Sequence, residues 1–522
     1  MKNTKMNYAI LTPGRRDERL LGQPGPGLPH STARVTKRSV LALVTLIVLH
    51  AGAFASSALA QSVATAPLSR ASQEELAALL TSEVKPTQIV LPATAKPADH
   101  GDDPNGYFRD APAELQTQSH WSKVATGGWS KRVELSSSGA TALRVVLSRK
   151  SLPKDAEIRC YAPDGSQIYG PYRPGMDPDS LGEEWWSPVI AGSSFGVDIF
   201  SSQVSATNSS ALMTKIVYLY TTKELGCYND VACYPDWAAE ARGVARMYYC
   251  NPDGTCHNCT GFMINRPAND KPWLFMSANH CISSEFQANT LACLWFFQNA
   301  TCNGALMPTI QTLGAQLLQH DQPYDVTLLG LTQPPPENVS YLNYDTSPWA
   351  VGDPIRGIHH PGGTFKRISF GVLDGSGNDD FDLDGNTVNV GTWHVQYDNG
   401  VVEKGSSGSP LFSSIHLVRG VLTGGDASCP SMKAYYGRLD LAYPNFQTFL
   451  GNVPNPVYTD TALSGTELGT AASPFRTLYR AANFCVLSGG TISMAPGRYQ
   501  ENLTVNRPMI MTAPHGGVLI GN

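Results

Sequence analysis

Apolar and polar positions along this chain fall into short runs rather than long periodic stretches. Between residues 106 and 222 the runs are ALRVVLS, EIRCY, SPVI, GVDIF and KIVYLY, broken by turn signals such as Pro163-Asp164-Gly165. That spacing predicts the strands of a small β-sandwich. From 223 to 453 the pattern repeats with GFMI, LFMSA, ANTLACLWFF, VTLLGL, KRISFGVL, VNVGTWHVQY and LVRGVLTGG, a second strand-rich domain. Pro454, Asn455 and Pro456 mark a boundary. Beyond it Phe475, Leu478, Ala482 and Cys485 recur at helical spacing. Evenly spaced short strands then follow (GGTISMAPG, NLTVN, MIMTA, GVLIG), predicting the first coils of a parallel β-helix over 454–522. The fold class is therefore mostly β.

The first 60 residues differ. Arg34, Lys37 and Arg38 precede an apolar run from Ser39 to Phe54, and Ala58-Leu59-Ala60 before Gln61 forms a small-residue cleavage site. This predicts a cleaved export signal over 1–60; the run is short for a bilayer span and His50 interrupts it. Residues 61–105 are rich in Ala, Pro and Thr with one short helical stretch, SQEELAALLTSEV, and read as a linker or pro-segment. The mature protein is expected to be secreted, without stable membrane insertion.

Composition narrows the function. Only 16% of residues are charged and the net charge is −5, which argues against nucleic acid or an anionic membrane as the main partner. A hydrophobic fraction of 42% excludes a disordered chain. Eleven cysteines in an exported protein permit disulfides, and nine fall between Cys227 and Cys429, which marks one stapled domain. In Cys256-His257-Asn258-Cys259, disulfide use is expected over a redox or zinc pair. Cys160 is expected as a buried thiol, Trp185-Trp186 as core, and His359-His360 as loop residues without a completed metal site. No metal or cofactor is expected.

The chemistry starts at Gly405-Ser406-Ser407-Gly408-Ser409-Pro410. A serine between glycines on a tight turn exposes its Oγ, and the N–H groups of Gly405 and Ser407 can converge on an oxyanion. His280 closes an apolar strand in Ser277-Ala278-Asn279-His280-Cys281, and Asp325 stands at the mouth of another, VTLLGL. A carboxylate there needs a partner, and a histidine N–H supplies one. The order His280, Asp325, Ser407 is that of chymotrypsin, unlike α/β-hydrolases or subtilisin.

Segment 225–445 resembles bacterial trypsin-like serine endopeptidases, most closely the lysyl endopeptidase group. The resemblance is carried by Cys227-x5-Cys233, Cys259-Thr260-Gly261, Ala278-Asn279-His280-Cys281, Phe297-Gln298-Asn299-x2-Cys302 and Asp325-Val326-Thr327-Leu328-Leu329. It continues in His359-His360-Pro361, Lys366-Arg367-Ile368-Ser369, the Ser407 loop, Gly424-Gly425-x2-Ser428-Cys429 and Tyr436-Gly437-Arg438. It implies a chymotrypsin-like double β-barrel over 223–453 and acyl transfer by His280, Asp325 and Ser407 on protein or peptide substrates. It also implies disulfides Cys227–Cys429, Cys233–Cys302 and Cys259–Cys281, with Cys250, Cys256 and Cys293 as extras of which two can pair. Thr423 has two open readings, hydroxyl donor to Asp325 or ordinary strand residue.

The departures concern specificity. In lysyl-specific members an Asp two residues before the Tyr-Gly pair anchors the substrate lysine; here Ala434 stands there. A buried ammonium needs a counter-charge, so strict lysine specificity is not expected. The pocket residues in question are Thr423, Gly424, Gly425, Asp426 and Ala434, with Asp426 expected to face solvent and Glu403 expected as a wall or structural residue. Ser406 replaces the Asp that precedes the nucleophile in trypsin, so no new N-terminal ammonium can pair there. A precursor is expected, with residues 61 to about 224 removed near Lys223-Glu224. The alternatives are a catalytically inactive binding protein of the same fold, or a surface adhesin with glycan contact through the C-terminal extension.

Overall fold

The structure is a computed structural model. It describes residues 70–93, 105–125, 127–176, 182–203, 212–220, 226–268, 270–383, 386–426, 432–451, 453–465, 467–501, 503, 505 and 507–521. The expected export signal, the cleavage segment at Lys223-Glu224, and Cys429 with its expected bridge to Cys227 lie outside these residues.

The N-terminal strands form two layers. One sheet runs Thr87–Val90, Trp129–Ser136, Ser194–Ser201, Glu157–Tyr161, Ile168–Tyr172, with Ser122–Lys123 at Trp129–Ser136. The other contains Gly106–Asp110, Met213–Leu219, Ala142–Ser148, Glu184–Trp186 and Ile190–Ala191. ALRVVLS is buried at six of its seven positions because both its faces are covered, and its apolar side chains all join one core. Cys160 is a buried free thiol, and Trp185 and Trp186 are buried in this core, as expected.

The second layer does not stop at the end of the N-terminal segment. Gly106–Asp110 pairs antiparallel with Thr255–Met263, Tyr107 opposite Thr255 and Gly106 opposite Cys256. The sheet therefore runs on into strands Val244–Cys250, Leu274–Ser277, Ala292–Trp295, Ile310–Leu313, Ala315–Asp321 and Val326–Leu331, which form the first barrel. At this seam the fully buried Arg144 donates to the carbonyls of Ser187 and Thr290, at 2.8 and 2.9 Å. Gln311 makes two bonds to the backbone of Val189.

The second barrel is a seven-stranded sheet in the order Asn229–Asp230, Arg367–Leu383, Pro354–His359, Pro410–Ser413, Val418–Gly425, Met432–Arg438, Asn386–Asn399. It closes because Arg367–Leu383 also pairs with Asn386–Asn399, whose outer ends project as a long hairpin. Two barrel-like sheets of this kind are the double β-barrel that the resemblance implied.

After the helix Leu439–Leu450 the chain lays down parallel strands. Val457–Thr459, Thr491–Met494 and Ile510–Thr512 form one ladder, and Gly497–Tyr499 with Val518–Ile520 another. Ladders this short do not establish the expected β-helix. Nor is the segment a mere appendage: Phe475, Leu478 and Phe484 join the apolar core of the first barrel. Arg266 of that barrel donates to the carbonyls of Phe449, Phe484 and Cys485.

Candidate active site

Strand Leu274–Ser277 is buried throughout and pairs with Val326–Leu331, Ser277 opposite Thr327. His280 follows the first strand and Asp325 precedes the second, so their pairing brings the two residues together. Asp325 closes a 3-10 turn over Gln322–Tyr324 at φ 51°, a left-handed conformation that Asp tolerates better than most residues. Its carboxylate accepts the backbone N–H of His280 on Oδ1 and faces His280 Nδ1 with Oδ2, both at 2.8 Å. The Asp325 side chain is 1% exposed and that of His280 15%. With Nδ1–H donating to the carboxylate, Nε2 carries no proton and is the basic nitrogen of the ring.

The next residue, Cys281, is bonded to Cys259. Sulfurs joined to each other offer no thiolate, so their closeness to His280 makes no metal ligand set. Cys233–Cys302 is the second implied bridge present. Of the three extra cysteines, Cys250 pairs with Cys256 and Cys293 is a buried free thiol.

Ser407 lies half-buried on the turn that enters strand Pro410–Ser413. Gly405 and Gly408 both have left-handed φ, 88° and 83°. A Cβ on Gly408 would stand 2.1 Å from Ser277 Oγ and 2.9 Å from the Ala278 nitrogen. The nucleophile turn is thus pressed against the strand end that carries His280. Thr260 of the first barrel fastens it: its N–H donates to the Ser407 carbonyl (2.8 Å) and its hydroxyl to the Gly405 carbonyl (2.7 Å). Thr260 stands in the motif Cys259-Thr260-Gly261, but its role depends on a partner 145 positions away that the motif does not reveal. The N–H groups of Gly405 and Ser407 donate to no acceptor among the described residues, as an oxyanion site requires.

The pocket residues separate. Thr423 is 3% exposed and its hydroxyl has no partner among the described residues, so the reading of Thr423 as donor to Asp325 is not what the structure holds. Gly424 is half-buried, with the Phe381 ring 3.3 Å from where its Cβ would be. Gly425 and Asp426 are exposed. Ala434 is fully buried, opposite Gly425 and Val395, in an apolar cluster with Val402, Met432 and Tyr436. Glu403 is half-buried and its N–H donates to Ser406 Oγ at 3.2 Å.

His359 and His360 correct an expectation. His359 ends strand Pro354–His359, and both rings are fully buried rather than displayed on a loop. Lys366 is fully buried as well, donating to the carbonyl of Ala241 and to Gln298 Oε1. Burial lowers its pKa to about 7. Neither signal was legible locally, since each depends on what packs around the residue.

Residues 223–437 match the family model described as lysyl endopeptidase, C-terminal domain, and residues 106–214 match the lysyl endopeptidase N-terminal domain. A lysyl endopeptidase of Pseudomonas aeruginosa is 30% identical, the match covering 60% of this chain and 72% of that protein. Among solved structures, the Rv3671c protease from M. tuberculosis in its active form aligns with 18% identity and a TM-score of 0.32, over 46% of this chain and 96% of that one. The HtrA-type protease AlgW with tripeptide aligns with 15% identity and a TM-score of 0.31, over 49% and 74%. Scores at this level transfer no chemistry.

Proposed function

The chain belongs to the lysyl endopeptidase family and is a serine endopeptidase, and on that footing we propose that it hydrolyses peptide bonds through Ser407, His280 and Asp325. Ser407 Oγ attacks the scissile carbonyl while His280 Nε2 takes its proton. Asp325 holds the imidazole by Nδ1–H and stabilises the imidazolium. The N–H groups of Gly405 and Ser407 receive the oxyanion. His280 then protonates the leaving amine, and water, activated by the same imidazole, releases the acyl group from Ser407. The observation that carries this reading is the paired approach of Asp325 to both the backbone and the ring of His280 at 2.8 Å.

The enzyme is proposed to be exported by the segment 1–60 and made as a precursor cut near Lys223-Glu224. Its P1 pocket is proposed to accept more than lysine. Ala434 supports this, since it sits among apolar side chains and supplies no counter-charge for a buried ammonium.

Cleavage-site mapping on a denatured proteome, with Ser407→Ala as control, tests both parts. Wild type is expected to cut and the variant not to, with neutral residues among those preceding the cuts. Equal cutting by Ser407→Ala would remove the triad; cuts confined to lysine would remove the specificity reading.

A further inference from the structure

Ser406 precedes the proposed nucleophile and is fully buried. A serine there cannot form an ion pair with a newly cut N-terminus, so something else must hold the turn. Its Oγ faces His359 Nδ1 at 2.8 Å, and His359 Nε2 faces Ser369 Oγ at 3.0 Å. Ser369 in turn donates its proton to the carbonyl of Val401 at 3.3 Å. Ser369 has one proton, and that donation uses it, so its oxygen accepts from His359 Nε2–H. Nδ1 is then the acceptor, and Ser406 O–H donates to it. Ser406 Oγ finally accepts the N–H of Glu403. Every proton in the chain is assigned, and the imidazole is neutral throughout.

The surroundings demand that neutrality. His359 and Ser406 are 0% exposed and Ser369 1%. Burial first, then the nearby Arg367, holds the His359 pKa down to about 3. The relay begins at Val401 and returns at Glu403 and Ser406, so it clamps the segment 401–406 just ahead of Ser407. That segment carries the Gly405 N–H.

We propose that His359 is a positioning residue: its neutral imidazole, bridging Ser406 to Ser369, holds the Gly405–Ser407 backbone as a preformed oxyanion site. This rests on the reading of Ser407 as nucleophile. It also means that the turn is competent in the uncut chain, so any cleavage near residue 223 acts by some route other than ordering this loop.

The test uses the full chain with His359→Phe, Ser406→Ala, the double variant, His359→Gln and Ser407→Ala. The readouts are kcat, KM on a peptide amide, and the affinity of a peptide boronic acid, whose tetrahedral adduct places an oxygen at the oxyanion site. His359→Phe keeps the ring volume and deletes both bonds. It is expected to lower kcat by about 30- to 300-fold, reaching the lower part of the roughly 100- to 1,000-fold loss caused by removing an oxyanion donor outright. KM is expected to stay within about threefold and boronate affinity to fall in parallel with kcat, a split that general loosening would not produce. Ser406→Ala breaks the same relay at its other end, so the double variant is expected to be no worse than either single one. His359→Gln can accept and donate in the same two directions, and is expected to recover about tenfold of the loss. Because Ser406→Ala removes one oxygen only, it carries the test where His359→Phe does not fold. Activity within about threefold of wild type in Ser406→Ala or His359→Phe, or losses that multiply in the double variant, overturns the relay. Hydrolysis by Ser407→Ala overturns the nucleophile reading itself, and the relay with it.

Discussion

Replacing Lys366 by methionine tests whether this fold really keeps a lysine without a counter-charge. The Lys366 ammonium is fully buried, and its hydrogen bonds run to one carbonyl and one side-chain amide. Among the described ion pairs none involves it. Burial lowers its pKa from 10.5 to about 7. In an unfolded chain the group stays protonated up to about 10.4, so between pH 7 and pH 10 the unfolded state binds the extra proton. Stability therefore rises with pH across that window, by up to about 1.4 kcal/mol per unit and about 4 kcal/mol in all. Below about 7 both states are protonated and the slope from this group vanishes, leaving the full penalty of the buried charge. Lys366→Met removes the titration. It also removes the Lys366 donor from Gln298 Oε1 and one of two donors from the Ala241 carbonyl, which keeps the Val244 N–H, at a cost of about 1 to 3 kcal/mol at every pH. The two effects separate cleanly: the second displaces the curve, and only the first tilts it. The assay is urea unfolding from pH 6 to pH 10, followed by tryptophan fluorescence, with Ser407→Ala in both proteins to prevent self-digestion. Wild type minus variant is expected to climb by about 4 kcal/mol from pH 7 to pH 10. A difference flat to within about 1 kcal/mol would refute the reasoning, because a solvated or ion-paired lysine gives no slope there.

Three further outcomes are expected. Asp325→Asn keeps a residue that tolerates φ 51° but turns an amide N–H toward His280 Nδ1; kcat is expected to fall on the order of 10³- to 10⁴-fold with unfolding unchanged, and a loss below about tenfold counts against the triad. Gly408→Ala forces a Cβ to 2.1 Å from Ser277 Oγ and 2.3 Å from the Thr260 carbonyl; steady-state kinetics should show kcat reduced at least about 100-fold, with circular dichroism of the strands retained. Arg144→Ala deletes two hydrogen bonds and a buried stem at the seam between N-terminal strands and first barrel, for about 3 kcal/mol; faster amide exchange in Gly106–Asp110 and Thr255–Met263 is the signature, and unchanged exchange rates there would show the seam does not depend on it.

Much of the site was legible because its parts are local. Glycines at 405 and 408 bracket Ser407 since a sharp turn with left-handed φ tolerates little else, and that constraint is written in the sequence itself. Strand runs before His280 and after Asp325 are apolar because both are buried, so the two residues could be placed at strand mouths. The run from Phe475 to Cys485 does turn helical from Leu478. Cysteine spacing marked the stapled domain, although Cys250 pairing with Cys256 emerged only when strands Val244–Cys250 and Thr255–Met263 met.

By itself, then, the sequence determined the strand-rich class, the turn that presents Ser407, and the order of the three groups proposed to act. Only the tertiary structure decided which strands share an edge and which polar groups share an interior. Nothing in Gly106–Asp110 names Thr255–Met263 as its partner, because a backbone N–H pairs with any carbonyl that packing brings to it. Thr260 reaches Gly405 across 145 positions and His359 reaches Ser406 across 47. Such bonds are fixed by the need to satisfy every buried donor and acceptor at once, a condition on the folded whole that no window of sequence contains.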